Sequence, residues 1–263
     1  MVDAPELLQL AEQIAREAGA LARRRREEGV RIAATKSALA DIVTDADREV
    51  EQLIRARLAE ARPEDGFLGE ESGAERGSSE VTWVVDPIDG TVNYAYGIPH
   101  YAVSIAAVTG EPTPEEWTAQ VGVVFTPMLG ELFRAARGSG AWLGDQRLAV
   151  STVTDAGALL ATGFGYDPAT HAGDLERVRK VMPIARDLRR AGAASLDLAY
   201  VAAGRLDGYF ERGLHPWDHA AGALLVSEAG GMVGGEPGDR PGRAMTIAAG
   251  PQLFPRLHAA IYQ

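Results

Sequence analysis

The chain contains no cysteine, which removes disulfides, thiolate metal sites and cysteine nucleophiles together. Any metal must therefore sit on oxygen or imidazole. Basic charge is also short: 26 Lys and Arg stand against 37 Asp and Glu, a formal charge of −11. A field of that sign repels phosphate backbones and anionic membranes, so nucleic acid is excluded as a large-area partner. A small phosphorylated ligand stays admissible, because divalent cations collected at one site make it locally positive. No apolar run approaches the ~20 residues of a membrane span. Asp3, Glu6 and Glu12 stand where a signal peptide needs a basic start and an apolar core, so a cytoplasmic location without membrane contact is expected. There is no internal repeat and no low-complexity linker. At 263 residues the expectation is one catalytic unit of α/β class, with close-packed subdomains over 1–149 and 150–263.

Apolar residues at three- and four-residue spacing, Leu7, Ala11, Ile14, Ala18 and Leu21, predict a helix over 5–28 that Gly29 ends. The run Arg23 to Arg26 then falls in its last turn, where positive charge complements the helix dipole. A second helix is predicted after Thr44-Asp45-Ala46-Asp47, with Val50, Leu53, Ile54, Arg57 and Leu58 on one face and Pro63 beyond it. Residues 64–80 are polar and read as a loop or a hairpin that moves. The β-branched run 81–85 predicts a buried strand delivering Asp86. Further strands are expected at 101–108, 119–125, 132–136 and 141–143. Gly138-Ser139-Gly140 joins the last two, so "GSGAWLG" is a hairpin and not a dinucleotide fingerprint. Beyond 150, strands at 159–162 and 208–211 alternate with helices near 171–181, 194–203 and 215–229, an α/β pattern. Pro216 suits a first helical position, and Gly230-Gly231 a stop.

Asp86 and Asp89 stand three apart at the end of the apolar strand, Pro87 stiffening the chain between them and Gly90 freeing it afterwards. Two carboxylates ~4 Å apart repel by ~4 kcal/mol at an effective dielectric near 20. Such a pair needs a shared proton, hydrogen-bond donors or a cation. Oxygen-only donors suit Mg²⁺, and the Ile88 carbonyl adds one more. Gly90-Thr91 opens a helix whose N–H groups suit a phosphate oxygen. Taken alone, Asp-x-x-Asp-Gly-Thr is equally an Asx-type turn that caps a helix. Its context is acidic: Glu70-Glu71 upstream, Asp41, Asp45 and Asp47 before one helix, Asp218 in the first turn of another.

These segments resemble the inositol monophosphatase-like, metal-dependent phosphatases. "GEES" at 69–72, "WVVDPIDGTVNY" at 83–94 and "WDHAAG" at 217–222 are similar to that family's signature blocks, in its order and at about its spacing. "DIVTDAD" at 41–47 and "GAASLDLAYVAAGRLDGYFE" at 192–211 extend the likeness over nearly the whole chain. The resemblance implies a layered αβαβα sandwich, commonly homodimeric and lithium-sensitive, with two or three Mg²⁺ per site. It implies that Glu70, Asp86 and the Ile88 carbonyl hold one Mg²⁺, that Asp86, Asp89 and Asp218 hold a second, and that Glu70 helps with a weaker third. Asp47 and Thr91, with Glu70, would orient and activate the attacking water. The amides of Gly90 and Thr91 would bind phosphate, and Asp89, the backbone near Ala193 and Ala194, and Glu211 would meet the alcohol. Val92 and Tyr94 depart from the commoner family residues.

The implied reaction is hydrolysis of a small phosphorylated metabolite. Inositol 1-phosphate leads, with histidinol phosphate, fructose 1,6-bisphosphate and 3′-phosphoadenosine 5′-phosphate as alternatives. Arg189 and Arg190 are candidates for an additional phosphate or a solvated pair. Two other readings remain: a zinc site on His215, Asp218 and His219, and a non-catalytic protein that senses metal or phosphate.

Overall fold

The computed structural model describes residues 3–30, 32–35, 42–152 and 157–262. Asp41, one of the carboxylates noted above, lies outside them. The helices are α1 (Ala4–Glu28), α2 (Asp45–Ala61), α3 (Thr91–Tyr96), α4 (His171–Val181), α5 (Ala194–Ala202), α6 (Pro216–Glu228) and α7 (Phe254–Tyr262). Strands β1 (Ile32–Thr35) and β2 (Ile42–Thr44) form a small antiparallel pair. Eight strands make the larger sheet: β3 (Gly66–Gly69), β4 (Gly73–Glu75), β5 (Val81–Asp89), β6 (Ala102–Thr109), β7 (Thr118–Thr126), β8 (Glu131–Ala136), β9 (Gly140–Leu143) and β10 (Gln146–Arg147). Their order is β10-β9-β8-β7-β6-β5-β3-β4. The smaller sheet contains β11 (Ala158–Thr162), β12 (Ala185–Arg189), β13 (Gly208–Glu211), β14 (Met232–Gly234) and β15 (Thr246–Ala249), ordered β12-β11-β13-β15-β14.

Three apolar clusters set the layers. Leu7 and Ile14 of α1 and Val50 and Ile54 of α2 pack with Trp83, Val85, Val103 and Val123 on one face of the larger sheet. On its other face, Val84, Ala106 and Val124 meet Leu196 and Leu198 of α5 and Leu224 and Leu225 of α6. Those helices also contact Ala161, Tyr209 and Ala248 of the smaller sheet. The far side of that sheet is closed by Val181 at the end of α4 and by Leu257 and Ile261 of α7. The resulting order is the expected αβαβα sandwich. A strand covered on both faces needs consecutive apolar residues, and β5 has them from Trp83 to Val85. No helix among the described residues is long and apolar enough to cross a membrane.

The bend in β5 positions the site. Val81, Trp83 and Val85 face α1 and α2, Val84 faces α5 and α6, and then Ile88 joins the α1/α2 side again. In a regular strand Asp86 and Asp89 face opposite ways, since side chains alternate. Here Asp86 pairs with Ser104 and Asp89 with Ala102, so three steps on β5 oppose two on β6. That β-bulge turns both carboxylates to the α5/α6 side, and Pro87, which has no N–H, sits inside it. Polar residues 64–80 form the β3–β4 hairpin at the sheet edge, where Trp83 Nε1 donates to Asp65 at 2.9 Å.

Candidate active site

The cleft opens between the C-terminal end of β5 and the starts of α3, α5 and α6. An inner hollow of about 80 Å³ is lined by Glu70, Asp86, Ile88, Asp89, Asp218 and Glu211 among others. Its carboxylates come from four places in the fold: Glu70 after β3, Asp86 and Asp89 on β5, Glu211 on β13 and Asp218 on α6.

Asp86 is buried, and its Oδ1 accepts the N–H of Ile88 at 3.0 Å. Burial, then the charges of Glu70, Asp89 and Asp218, push its pKa well above the carboxylate range. Asp89 is also pushed up, by burial first and against the two hydrogen bonds from Ser195, and it accepts from three donors. They are the N–H of Ala194 at 3.1 Å, the N–H of Ser195 at 2.7 Å and the Ser195 hydroxyl at 2.5 Å, all at the start of α5. Asp218, in the first turn of α6, accepts the His215 N–H at 2.6 Å. Its enclosure and the charges of Asp89 and Glu70 raise its pKa well above the usual value. Oxygens of Asp86, Asp89 and Asp218 all lie within 4.8 Å of one another. Glu70 follows β3 and lines the same hollow without belonging to that tight set.

Deeper in, Asp47 forms a capping box with Thr44 at the start of α2. It accepts the Thr44 N–H at 2.7 Å and the Thr44 hydroxyl at 2.5 Å. The Thr91 hydroxyl lies 3.2 Å from Asp47 Oδ1 and 3.1 Å from the Ile88 carbonyl. Its one proton serves one acceptor at a time. Burial raises Asp47 to about 6. Gly90 precedes Thr91 at φ +92°, and a Cβ there would come within 3.2 Å of the Gly192 carbonyl. A glycine is required on both counts.

Glu211, at the end of β13, accepts the Tyr209 hydroxyl at 2.6 Å and is raised by burial to about 7. Its carboxylate occupies the space beside Gly163, where a Cβ would lie 2.0 Å from it. The backbone near Ala193 and Ala194 was expected to meet the alcohol. Ala194 lines the hollow with its N–H donated to Asp89, and Ala193 is the buried N-cap of α5. Arg189 and Arg190 also part company. Arg189 pairs with Asp187 at 2.5 Å on the edge strand β12, whereas Arg190 lines the cleft.

Several contributors were not anticipated. Ser195 supports Asp89. Glu51, buried on α2, accepts the N–H groups of Glu71 at 2.8 Å and Ser72 at 2.8 Å, and so fixes the turn after Glu70. Asn93 donates to the carbonyls of His100 and Ala191, both at 2.8 Å, joining α3 to the segment before α5. Their sequence signals are faint: an acid on an apolar helix face, and polar residues inside a family-like block. Tyr94 gains an explanation, since its hydroxyl donates to the Ala22 carbonyl of α1 at 2.8 Å. Asp45 lines a separate hollow with Arg25 and Arg48.

The zinc reading is not assembled. His215 stacks on Trp217 with ring centroids 4.8 Å apart, and His219 is buried beside Trp117. Burial lowers His219 to about 4. Among the described residues the metal-capable group is carboxylate only. Three enclosed carboxylates of one sign, each raised toward protonation, fit a hard divalent cation: oxygen donors satisfy it and its charge offsets their repulsion.

The inositol monophosphatase family model matches residues 3–262. The chain is 42% identical over 275 residues to an inositol-1-monophosphatase SuhB of Mycobacterium tuberculosis, covering 97% of this chain and 93% of the relative. It is 44% identical over 230 residues to the Nus factor SuhB of Escherichia coli K12, covering 86% and 84%. The crystal structure of the extragenic suppressor protein suhB from Bartonella henselae matches with a TM-score of 0.89 at 38% identity, over 98% of this chain and 99% of that one. The chain belongs to the inositol monophosphatase family and is a phosphoric monoester hydrolase of that type.

Proposed function

We propose that the chain hydrolyses myo-inositol 1-phosphate to inositol and phosphate in a Mg²⁺-dependent reaction. The observation that carries this reading is the convergence of Asp86, Asp89 and Asp218 beside the Thr91–Asp47 pair. Asp86, Asp89 and Asp218, with Glu70 and the Ile88 carbonyl, would hold two or three ions. When bound, Mg²⁺ supplies charge neutralisation for the phosphate and a lowered pKa for the attacking water.

The remaining work falls to the chain. Thr91 Oγ1 accepts a hydrogen bond from the incoming water while passing its own proton's bond to Asp47, which orients the oxygen toward phosphorus. Asp47, held by two Thr44 donors, stays fixed as the Thr91 partner. Glu70 adds a second acceptor for water protons. The N–H groups of Gly90 and Thr91, at the start of α3, take phosphate oxygens. Glu211 faces the alcohol and accepts from its hydroxyls. Asp89 borders the same space while α5 holds both its oxygens. The relatives bear two kinds of name, an inositol-1-monophosphatase and a Nus factor. The present chain is read with the first, because Glu70, Asp86, Asp89 and Asp218 line one cleft.

The test is phosphate release from myo-inositol 1-phosphate, histidinol phosphate, fructose 1,6-bisphosphate and 3′-phosphoadenosine 5′-phosphate, with Mg²⁺, with chelator and with Li⁺. The cyclitol ester should be turned over with Mg²⁺, and both chelator and Li⁺ should suppress that turnover. Turnover of histidinol phosphate alone would sink the assignment. Light scattering on the same sample checks the homodimer that the family reading carries.

A further inference from the structure

Beyond the carboxylates the cleft widens into an outer cavity of about 570 Å³. It is continuous with the inner hollow, sharing Glu70, Tyr166, Arg212, His215 and Trp217 as walls. Its charge differs from that of the rest of the protein. In a chain of net charge −11, the outer cavity is lined by two guanidinium groups, Arg212 and Arg243.

These arginines come from neighbouring backbone segments, because the N–H of Gly213 donates to the Arg243 carbonyl at 2.8 Å. Among the described residues, neither makes an ion pair with an acid shorter than 3.9 Å. Arg212 Nε stands 3.9 Å from Asp174 Oδ1, and that oxygen is already approached by Arg177 at 3.3 Å. Arg243 Nη1 rests 3.0 and 2.9 Å from the two ring nitrogens of His215, a ring that also stacks parallel on Trp217. The acids lining the cavity are Glu70, which faces the carboxylate cluster, and Asp167, whose Oδ1 accepts the Ala169 N–H at 2.9 Å. A guanidinium keeps five donors in a planar fork that matches phosphate or carboxylate oxygens. The stacked His215–Trp217 pair gives one of them a rigid support.

We infer that the outer cavity is a second-anion subsite: Arg212 and Arg243 select phosphomonoesters whose alcohol carries another phosphate or a carboxylate. The inference rests on the phosphomonoesterase reading of the inner hollow and narrows its substrate class. The ester bond broken is the one at the carboxylate cluster, where water supplies the oxygen and phosphate leaves. The second anion stays on the alcohol and departs with it.

The experiment compares kcat/KM with Mg²⁺ for two pairs that share a carbon skeleton: myo-inositol 1,4-bisphosphate against myo-inositol 1-phosphate, and fructose 1,6-bisphosphate against fructose 1-phosphate. The bisphosphate-to-monophosphate ratio should exceed about tenfold in at least one pair, the value of one good charge-assisted contact. Arg243→Ala should lower that ratio about tenfold, and Arg243→Lys should restore part of it, since a point charge keeps attraction but loses the fork. Arg212→Ala should act the same way. The ratio cancels any general loss of active protein, and Arg243 is exposed. A wild-type ratio near one in both pairs, or a ratio indifferent to both alanine variants, overturns the subsite while turnover of the monophosphates leaves the cyclitol reading standing. Turnover of the bisphosphates alone overturns the cyclitol monophosphate reading and keeps the subsite. No release from any of the four overturns both.

Discussion

The two sheets contribute to the cleft in opposite ways. The eight-stranded half brings charge: Asp86 and Asp89 on the bulged end of β5, Glu70 after β3, Asp47 through α2. The other half brings two acids of its own, Asp218 and Glu211, but above all donors, since Ala194 and Ser195 hold both oxygens of Asp89. Asp86 receives the N–H of its own neighbour Ile88. Two aspartates three residues apart therefore differ because of a helix more than a hundred residues later. The contrast teaches that the first half sets how much negative charge is concentrated and the second sets how much of it is relieved.

Removing metal breaks the comparison most severely, because the concentration of charge is then unrelieved. Folding raises Asp47 from 3.8 to about 6 and Glu211 from 4.5 to about 7. A raised folded pKa means that stability is fully present below the unfolded value and is lost as pH climbs through the folded one. Denaturant melts in chelator should therefore show stability falling between about pH 4 and about pH 7, by on the order of 3 kcal/mol for each group. Added Mg²⁺ should oppose the trend, since it binds the deprotonated carboxylates. A flat profile in chelator would remove the charge-concentration account.

Asp86→Asn strikes the first half directly. Mg²⁺-dependent turnover should fall by more than about a hundredfold and Mg²⁺ affinity in calorimetry should drop, while the metal-free melting temperature rises as one like charge disappears. Thr91→Ala leaves the carboxylates in place, so kcat should fall by about a hundredfold with Mg²⁺ affinity within about twofold of the original. Ser195→Ala tests the second half. Loss of one donor raises the Asp89 pKa further, so the acid limb of the pH–rate profile should move to higher pH and turnover at neutral pH should fall about tenfold. An unmoved acid limb would show that α5 is only a neighbour.

The sequence made the charged half legible and the donor half much less so. Asp86, Asp89, Asp47 and Asp218 announce themselves by residue type and by local patterns of capping and strand ends. Ser195 does not, because its work depends on a partner 106 positions away. The same cause hid Glu51 and Asn93, whose acceptors or donors come from other elements. Among the strands, β12 escaped notice because it is an exposed, charged edge, Ala185 to Arg189, without the apolar run that marks β5. Helix α7 left a weaker trace, Leu257 and Ile261 four apart, after a proline-containing turn. His215 and His219 show the converse. Spacing of four suggested joint ligation, but one ring stacks on Trp217 and the other is buried beside Trp117.

The bulge in β5 makes residue number itself part of the chemistry. Inserting one residue into β6 between Ala102 and Ser104 would retain every carboxylate in the chain and let three steps on β5 oppose three on β6, a regular pairing in which residues three apart face opposite ways. It would also send one of the two aspartates into the apolar layer beneath α1 and α2. A homologue lengthened by one residue there would keep the letters of the motif and lose its meaning, so the length of β6 opposite the aspartates is as informative in an alignment as the aspartates themselves.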